Sequence, residues 1–252
     1  MNTVNTNASG NTTIIFSSPN IYAKLSGTLR SAKNVKTPVG ELENSQFRDN
    51  NLSFRLGITP IAGNEIKFNF QKFHATDVGI PGGDAFPTNA VARYPIETRT
   101  LYQGEYKISA VTDWWKNLSV KYYYQEINRE VELKPNAMVV VNPKADHKTH
   151  GASLQSNFLV NNSNLIVFGI DGWQRTYDGK RTKTIGGGKT IIVDIPVPKS
   201  EYRSIGVFAH DEVSLIKNKF KVTFGGRYDF IRVTNEETNN PVSITKGGVT
   251  KF

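Results

Sequence analysis

Four short turns alternate with four long polar or glycine-rich stretches, and the segments between them alternate apolar with polar residues. The short turns are Pro60-Ile61-Ala62-Gly63-Asn64, Thr112-Asp113-Trp114-Trp115-Lys116-Asn117, Asn161-Asn162-Ser163-Asn164 and Lys217-Asn218-Lys219; the long stretches are 31–47, 76–98, 134–148 and 177–203. Period-two alternation marks strands with one apolar face. A soluble β-sandwich has no reason to collect its short turns at one end. A barrel that crosses a membrane does, with short turns on the inner side and longer loops outside. The pattern predicts an all-β, antiparallel, up-and-down transmembrane β-barrel.

Each segment yields two faces. Ile21, Ala23, Leu25, Gly27 and Leu29 oppose Lys24, Ser26, Thr28 and Arg30; Leu52, Phe54, Leu56 and Ile58 oppose Ser53, Arg55, Gly57 and Thr59. Ile66, Phe68 and Phe70 oppose Lys67, Asn69 and Gln71, and Tyr102, Tyr106 and Ile108 oppose Gln103, Glu105 and Lys107. The pattern continues through Leu118, Val120, Tyr122 and Tyr124, through Ala152, Leu154, Phe158 and Val160, and through Phe220, Val222, Phe224, Tyr228 and Phe230. Segments 165–176 and 204–216 alternate less cleanly, and their faces stay open. With a short opening strand near 12–16, the count is about ten strands of roughly 10–15 residues, long enough to cross a tilted membrane wall. Trp114 and Trp115 sit at a short turn, while Tyr122, Tyr124 and Tyr228 lie further toward the long stretches, as the interfacial preference of amphipathic rings would place them.

Composition permits this reading. The chain has 252 residues, 38% hydrophobic, and its mean hydropathy is −0.40. It has no apolar run of the length a transmembrane helix needs, and polar lumen residues dilute the hydropathy of membrane barrels. The absence of cysteine removes disulfides, thiolate metal sites and cysteine nucleophiles together. The net charge of +9 is spread over strands and loops as a mixed, solvated surface, and no nucleic-acid-binding motif accompanies it. The first residues lack both the positive and the apolar regions of a secretory signal, so a membrane barrel with this start is expected to be part of a longer precursor.

The chemical motifs fail one by one. Gly186-Gly187-Gly188-Lys189-Thr190 lacks the glycine that a phosphate loop needs five positions before Gly188, where Lys183 stands, and it reads as a loop tip. His147 and His150 are three apart in a polar stretch, a spacing that suits solvated loop histidines better than metal or haem ligation. Asp211 and Glu212, adjacent on a strand, point to opposite faces and cannot share a proton. No catalytic residue, metal site or resident cofactor is expected.

Two later segments carry a resemblance. Ile205-Gly206-Val207-Phe208-Ala209-His210-Asp211-Glu212-Val213 is followed by Lys221-Val222-Thr223-Phe224-Gly225-Gly226-Arg227-Tyr228-Asp229. This resembles a TonB-dependent outer-membrane receptor, in which one strand reads approximately GxFxQDE and the next ends in GxRYD; His210 stands where glutamine is usual. Gly151–Gln155 with Phe168-Gly169-Ile170-Asp171, the segment Thr37–Ser45 and Gly79-Ile80-Pro81-Gly82-Gly83 also resemble that barrel, so the likeness spans 21–233. The resemblance implies a receptor in the bacterial outer membrane. It would capture a scarce ligand (an iron–siderophore complex or other metal chelate, haem or cobalamin) and import it with energy from TonB. Family barrels have about 22 strands and a lumen filled by an N-terminal plug. The whole chain, 1–252, is therefore expected to be a barrel portion with no plug and no signal peptide, and TonB would act through a plug outside it. Lipid and lipopolysaccharide are the implied surroundings.

Ligand contacts are expected where cations and aromatic rings gather in the long stretches. These are Phe86, Arg93 and Tyr94 in one, and Tyr177, Lys180, Arg181 and Lys183 in another, with Trp173 and Arg175 at its base. Metal chelates are often anionic and aromatic, so charge pairing and ring stacking would hold them. Two other classes remain open on the residues alone: a passive porin-like or adhesin-like barrel, and a soluble β-rich carbohydrate-binding module.

Overall fold

The computed structural model describes residues 6–82, 90–161, 163–216, 219–238 and 240–252. They form β1 (Ala8–Ser17), β2 (Ile21–Ala32), β3 (Val35–Thr37), β4 (Gly40–Leu42), β5 (Phe47–Ile58), β6 (Asn64–Gly79), β7 (Val91–Ser109) and β8 (Trp115–Asn136). There follow β9 (Val139–Asn161), β10 (Asn164–Ile185), β11 (Thr190–Asp194), β12 (Ser200–Ile216), β13 (Phe220–Asn235), β14 (Ser243–Lys246) and β15 (Val249–Lys251). Ten of these, β1, β2, β5 to β10, β12 and β13, are long and pair antiparallel in chain order. They form one open wall inside a 13-stranded sheet. The lower part of β10 pairs with β12, and its upper part with β11, which carries the β14–β15 hairpin.

The register settles both faces, including those of β10 and β12 that alternation leaves open. One row reads Val120–Leu154–Ile170–Val207–Tyr228 across β8, β9, β10, β12 and β13, and another reads Ile58–Ile66–Tyr106–Val120 across β5 to β8. These residues share one apolar face. On the other stand Ser153–Asp171–Gly206–Asp229 and Thr149–Arg175–Tyr202. A one-residue slip would exchange the faces wholesale, so the segregation itself holds the register.

This wall has no interior of its own. Among the described residues the buried hydrophobic ones are small, Ala32, Ala75, Ala90, Ala92 and Val167, and no large side chain is fully buried. All the strong strand–strand contacts join ladder neighbours, so no second sheet covers the apolar face among the described residues. Phe224, Tyr228 and Phe230 are 60%, 70% and 62% exposed there. A soluble sandwich would cover such a face; this one requires an apolar solvent.

Three of the four long stretches are more ordered than the sequence pattern suggests. Residues 134–148 are not a loop, because β8 runs to Asn136 and β9 starts at Val139, leaving a two-residue turn. Within 177–203, β10 continues to Ile185 before the turn at Gly186, Gly187 and Gly188, whose φ values of +66°, +65° and +100° demand glycine. Residues 31–47 hold the β3–β4 hairpin, and 246–251, which lack alternation, still form the β14–β15 hairpin. The strands are accordingly longer than expected, up to 23 residues in β9. The physical reason is that ladder hydrogen bonds persist where the apolar face ends, and alternation reports only the face.

Candidate functional site

At the short-turn end, Trp115 donates its indole N–H to the Ser156 hydroxyl at 2.6 Å, while Trp114 stacks on Phe158 at 5.8 Å and stays exposed. At the other margin of the apolar band stand Tyr102 and Tyr124, cross-strand neighbours on β7 and β8. At about 3.3 Å per residue and a tilt of about 40°, the climb from Trp115 to Tyr124 covers roughly 23 Å, close to the height of an outer-membrane apolar band. Above Tyr124 the same face turns ionic: Glu126 with Lys148, Asn128 with Asp146 at 2.7 Å, and Glu130 with Lys144 at 2.6 Å.

The polar face carries two constructions. The lower one is a clamp. Arg227 on β13 reaches over β12 to Asp171 on β10, donating through Nη1 at 2.6 Å and Nη2 at 2.9 Å, and it also holds Asp229. Gly206 lies between the two aspartates in register, and a β-carbon there would overlap the guanidinium. Phe208 lies across Gly169 in the same way, and Arg227 caps its ring at 5.8 Å. The residues that carry the family resemblance are thus the parts of one interlock across three strands.

The upper construction is an aromatic platform bearing a cation. Trp173 on β10 stacks on Tyr202 of β12 with ring centroids 4.9 Å apart and planes 10° from parallel. The Arg175 guanidinium lies 5.4 Å from the Trp173 centroid and donates to the Thr149 hydroxyl at 3.3 Å. No carboxylate forms an ion pair with Arg175 among the described residues, and its side chain is exposed. Tyr123 lies beside Gly151, where a β-carbon would meet its ring at 2.7 Å and the Trp173 β-carbon at 2.8 Å. One row higher, His147 packs against Tyr177 at 5.0 Å. The arrangement can hold a planar anion: a face to stack on and a charge not already matched.

The residues expected to contact ligand divide. Trp173, Arg175 and Tyr177 are brought together on the polar face. Tyr94 lies under the Arg129 guanidinium at 5.1 Å, on β7 and β8 at some remove. Arg93 is already matched, donating to Asp77 at 2.7 Å and Glu132 at 2.9 Å. Burial opposes ionisation of Glu132, yet hydrogen bonds from Lys134 and Arg93 outweigh it and hold the carboxyl below its usual range. Arg181 is likewise engaged by Asp194, at 2.8 Å and 2.5 Å, on the β10–β11 extension that also carries Lys183. Lys180 lies on the opposite face, level with Lys144, and Phe86 falls outside the described residues.

The sequence pattern missed Tyr202, Tyr123 and His147. Tyr202 sits in the stretch that reads as loop, and no signal short of the β10–β12 register joins it to Trp173. His147 and His150 prove to lie on β9, on opposite faces, so they cannot close on one ion; this corrects the expectation of loop histidines. Among the described residues no group of three or more His, Cys, Asp or Glu side chains is placed to hold a metal. The expectation that Asp211 and Glu212 diverge agrees with their partners, Phe224 on one face and Thr223 on the other.

Comparison with known proteins agrees with this architecture. Two similar solved structures are the copper transporter OprC, with a TM-score of 0.72 and 13% identity over 92% of this chain, and the ferric citrate transporter FecA in its unliganded form, with 0.73 and 13% over 97%. The chain spans 38% and 36% of those two proteins' lengths. No curated protein matches. Residues 30–251 match the family model described as TonB dependent receptor-like, beta-barrel. The chain belongs to the TonB-dependent receptor-like β-barrel family.

Proposed function

We propose that this chain is part of the wall of an outer-membrane receptor that imports a scarce anionic chelate, of the iron–siderophore kind, with energy supplied by TonB through a plug. The observation that carries the ligand class is Arg175, an exposed guanidinium without a carboxylate partner among the described residues, laid over the Trp173 ring of the Trp173–Tyr202 stack. Stacking would orient a planar chelate, and the guanidinium would match its charge. Of the two similar structures, one transports ferric citrate, itself an anionic chelate, and the other copper. An arginine on an aromatic platform suits the chelate better than a bare cation, which it would repel. Recognition without bond-making is the only chemistry the site requires.

The test is ligand binding and uptake by the intact receptor carrying Trp173→Ala and Arg175→Ala together. At least a tenfold loss of affinity for anionic ferric chelates is expected, with surface expression unchanged. Unaltered affinity at normal expression would remove this platform from the ligand path.

A further inference from the structure

The apolar face carries a groove just below its ionic margin. The row Tyr122–Ala152–Gly172–Ile205–Phe230 runs across β8, β9, β10, β12 and β13. Its two central members have almost no side chain, so the surface sinks between Tyr122 and Ile205 into a depression of about 310 Å³. His150, Gln174 and Arg203 line its upper end. The row directly above continues from Arg203 to Arg232, which face each other as cross-strand partners on β12 and β13.

Like charges placed directly opposite on a sheet repel. Here the opposition is only partly relieved. Glu201 accepts from Arg203 at 2.6 Å but also from Gln174 at 2.5 Å, and no carboxylate pairs with Arg232 among the described residues. The neighbouring charges on this face, Lys148 and Glu126, engage each other. An apolar trough leading up to two arginines at the margin of the band has the outline of an anionic amphiphile, tail below and phosphate above.

We propose that this groove seats an acyl chain of a phosphorylated lipid of the outer leaflet, with the lipid phosphate bridging Arg203 and Arg232. The phosphate accepts hydrogen bonds from both guanidinium groups and removes their mutual repulsion. Gly172 and Ala152 are small because the chain lies over them. The site rests on the outer-membrane placement proposed above but not on the nature of the imported ligand.

Native mass spectrometry of the intact receptor, titrated with diphosphorylated lipid A, its dephosphorylated counterpart and inorganic phosphate, tests the proposal. One phosphorylated lipid should bind with at least tenfold preference over the dephosphorylated form. Arg203→Ala with Arg232→Ala should abolish that preference. Gly172→Leu should lower lipid affinity at least tenfold by filling the trough; its β-carbon would meet its nearest neighbours at 3.4 Å and 3.5 Å, so the backbone has room for it. Should that variant fail to fold, Ala152→Leu fills the same trough from β9. Equal binding of the two lipids would reduce the groove to ordinary lipid contact and overturn the proposal. So would full competition by inorganic phosphate with the filled-groove variants inert, which would mark an anion site without a lipid. Occupancy is read directly, so the result is independent of any uptake measurement.

Discussion

The lower and upper halves of β9 and β10 share one uninterrupted ladder, from Leu165 opposite Leu159 to Ile185 opposite Val139, yet they are written in different alphabets. Below, the face reads Leu154–Ile170 and Ala152–Gly172; above, it reads Asp146–Asp178 and Lys144–Lys180. Backbone hydrogen bonds are identical in kind throughout. What changes is the medium each side chain meets. Below the tyrosine margin, lipid-facing positions must be apolar. Above it, cross-strand ion pairs such as Glu126–Lys148 and Glu130–Lys144 occupy the same positions and are solvated.

The largest test of that division places charge in each half. Leu56→Arg or Ile170→Arg puts a guanidinium against lipid, and equilibrium unfolding in bilayers should show a loss of about 2–4 kcal/mol if the site lies near the midplane. Thr223→Arg, on the polar face, should cost far less. Equal losses would erase the distinction between faces. A second test sharpens the role of the polar-face interlock: Gly169→Ala drives a methyl group into the Phe208 ring and should destabilise by about 1–3 kcal/mol, as overpacking does. Gly27→Ala, with open space at its β-carbon, is the matched control and should be close to neutral.

The smallest effect belongs to the upper half. Hydrogen bonding from Arg181 holds the Asp194 carboxyl below its usual range, against the opposing effect of burial. A depressed carboxylate stabilises the folded form above its unfolded pKa and loses that contribution as pH falls through the folded value. The pair is partly open to solvent, which screens it, so Arg181→Ala should cost only about 0–1 kcal/mol at neutral pH. That cost should shrink further in acid and in high salt, as thermal denaturation across pH and ionic strength would record. A large, salt-independent loss would show that the extension is not solvated as the division requires.

Sequence pattern discloses the lower half well and the upper half badly for the same reason. Leu118, Val120, Tyr122 and Tyr124 announce a strand because lipid selects every second residue. Lys144, Asp146 and Lys148 continue β9 above the band but stand among Pro143, Ala145 and His147 with no strong apolar alternation, so they resemble a loop. The candidate site straddles this boundary. Trp173 and Arg175 stand out as bulky and cationic residues at a stretch's base, whereas Tyr202 becomes visible only once β12 is paired with β10. Arg93 and Arg181 look equally available in sequence, and only their carboxylate partners Asp77, Glu132 and Asp194, the first two far along the chain from any simple pairing rule, show them already engaged.

Three glycines on the polar face, Gly151, Gly169 and Gly206, are each overlain by a large neighbour from the next strand: Tyr123, Phe208 and Arg227. In evolutionary terms these are coupled sites. A relative that fills one of these gaps must shorten or redirect the side chain that occupied it, so each pair should change jointly across lineages. The pairs Gly169–Phe208 and Gly206–Arg227 share strands β10, β12 and β13, and a single substitution there is expected to be tolerated chiefly on a background where the other partner has already shrunk.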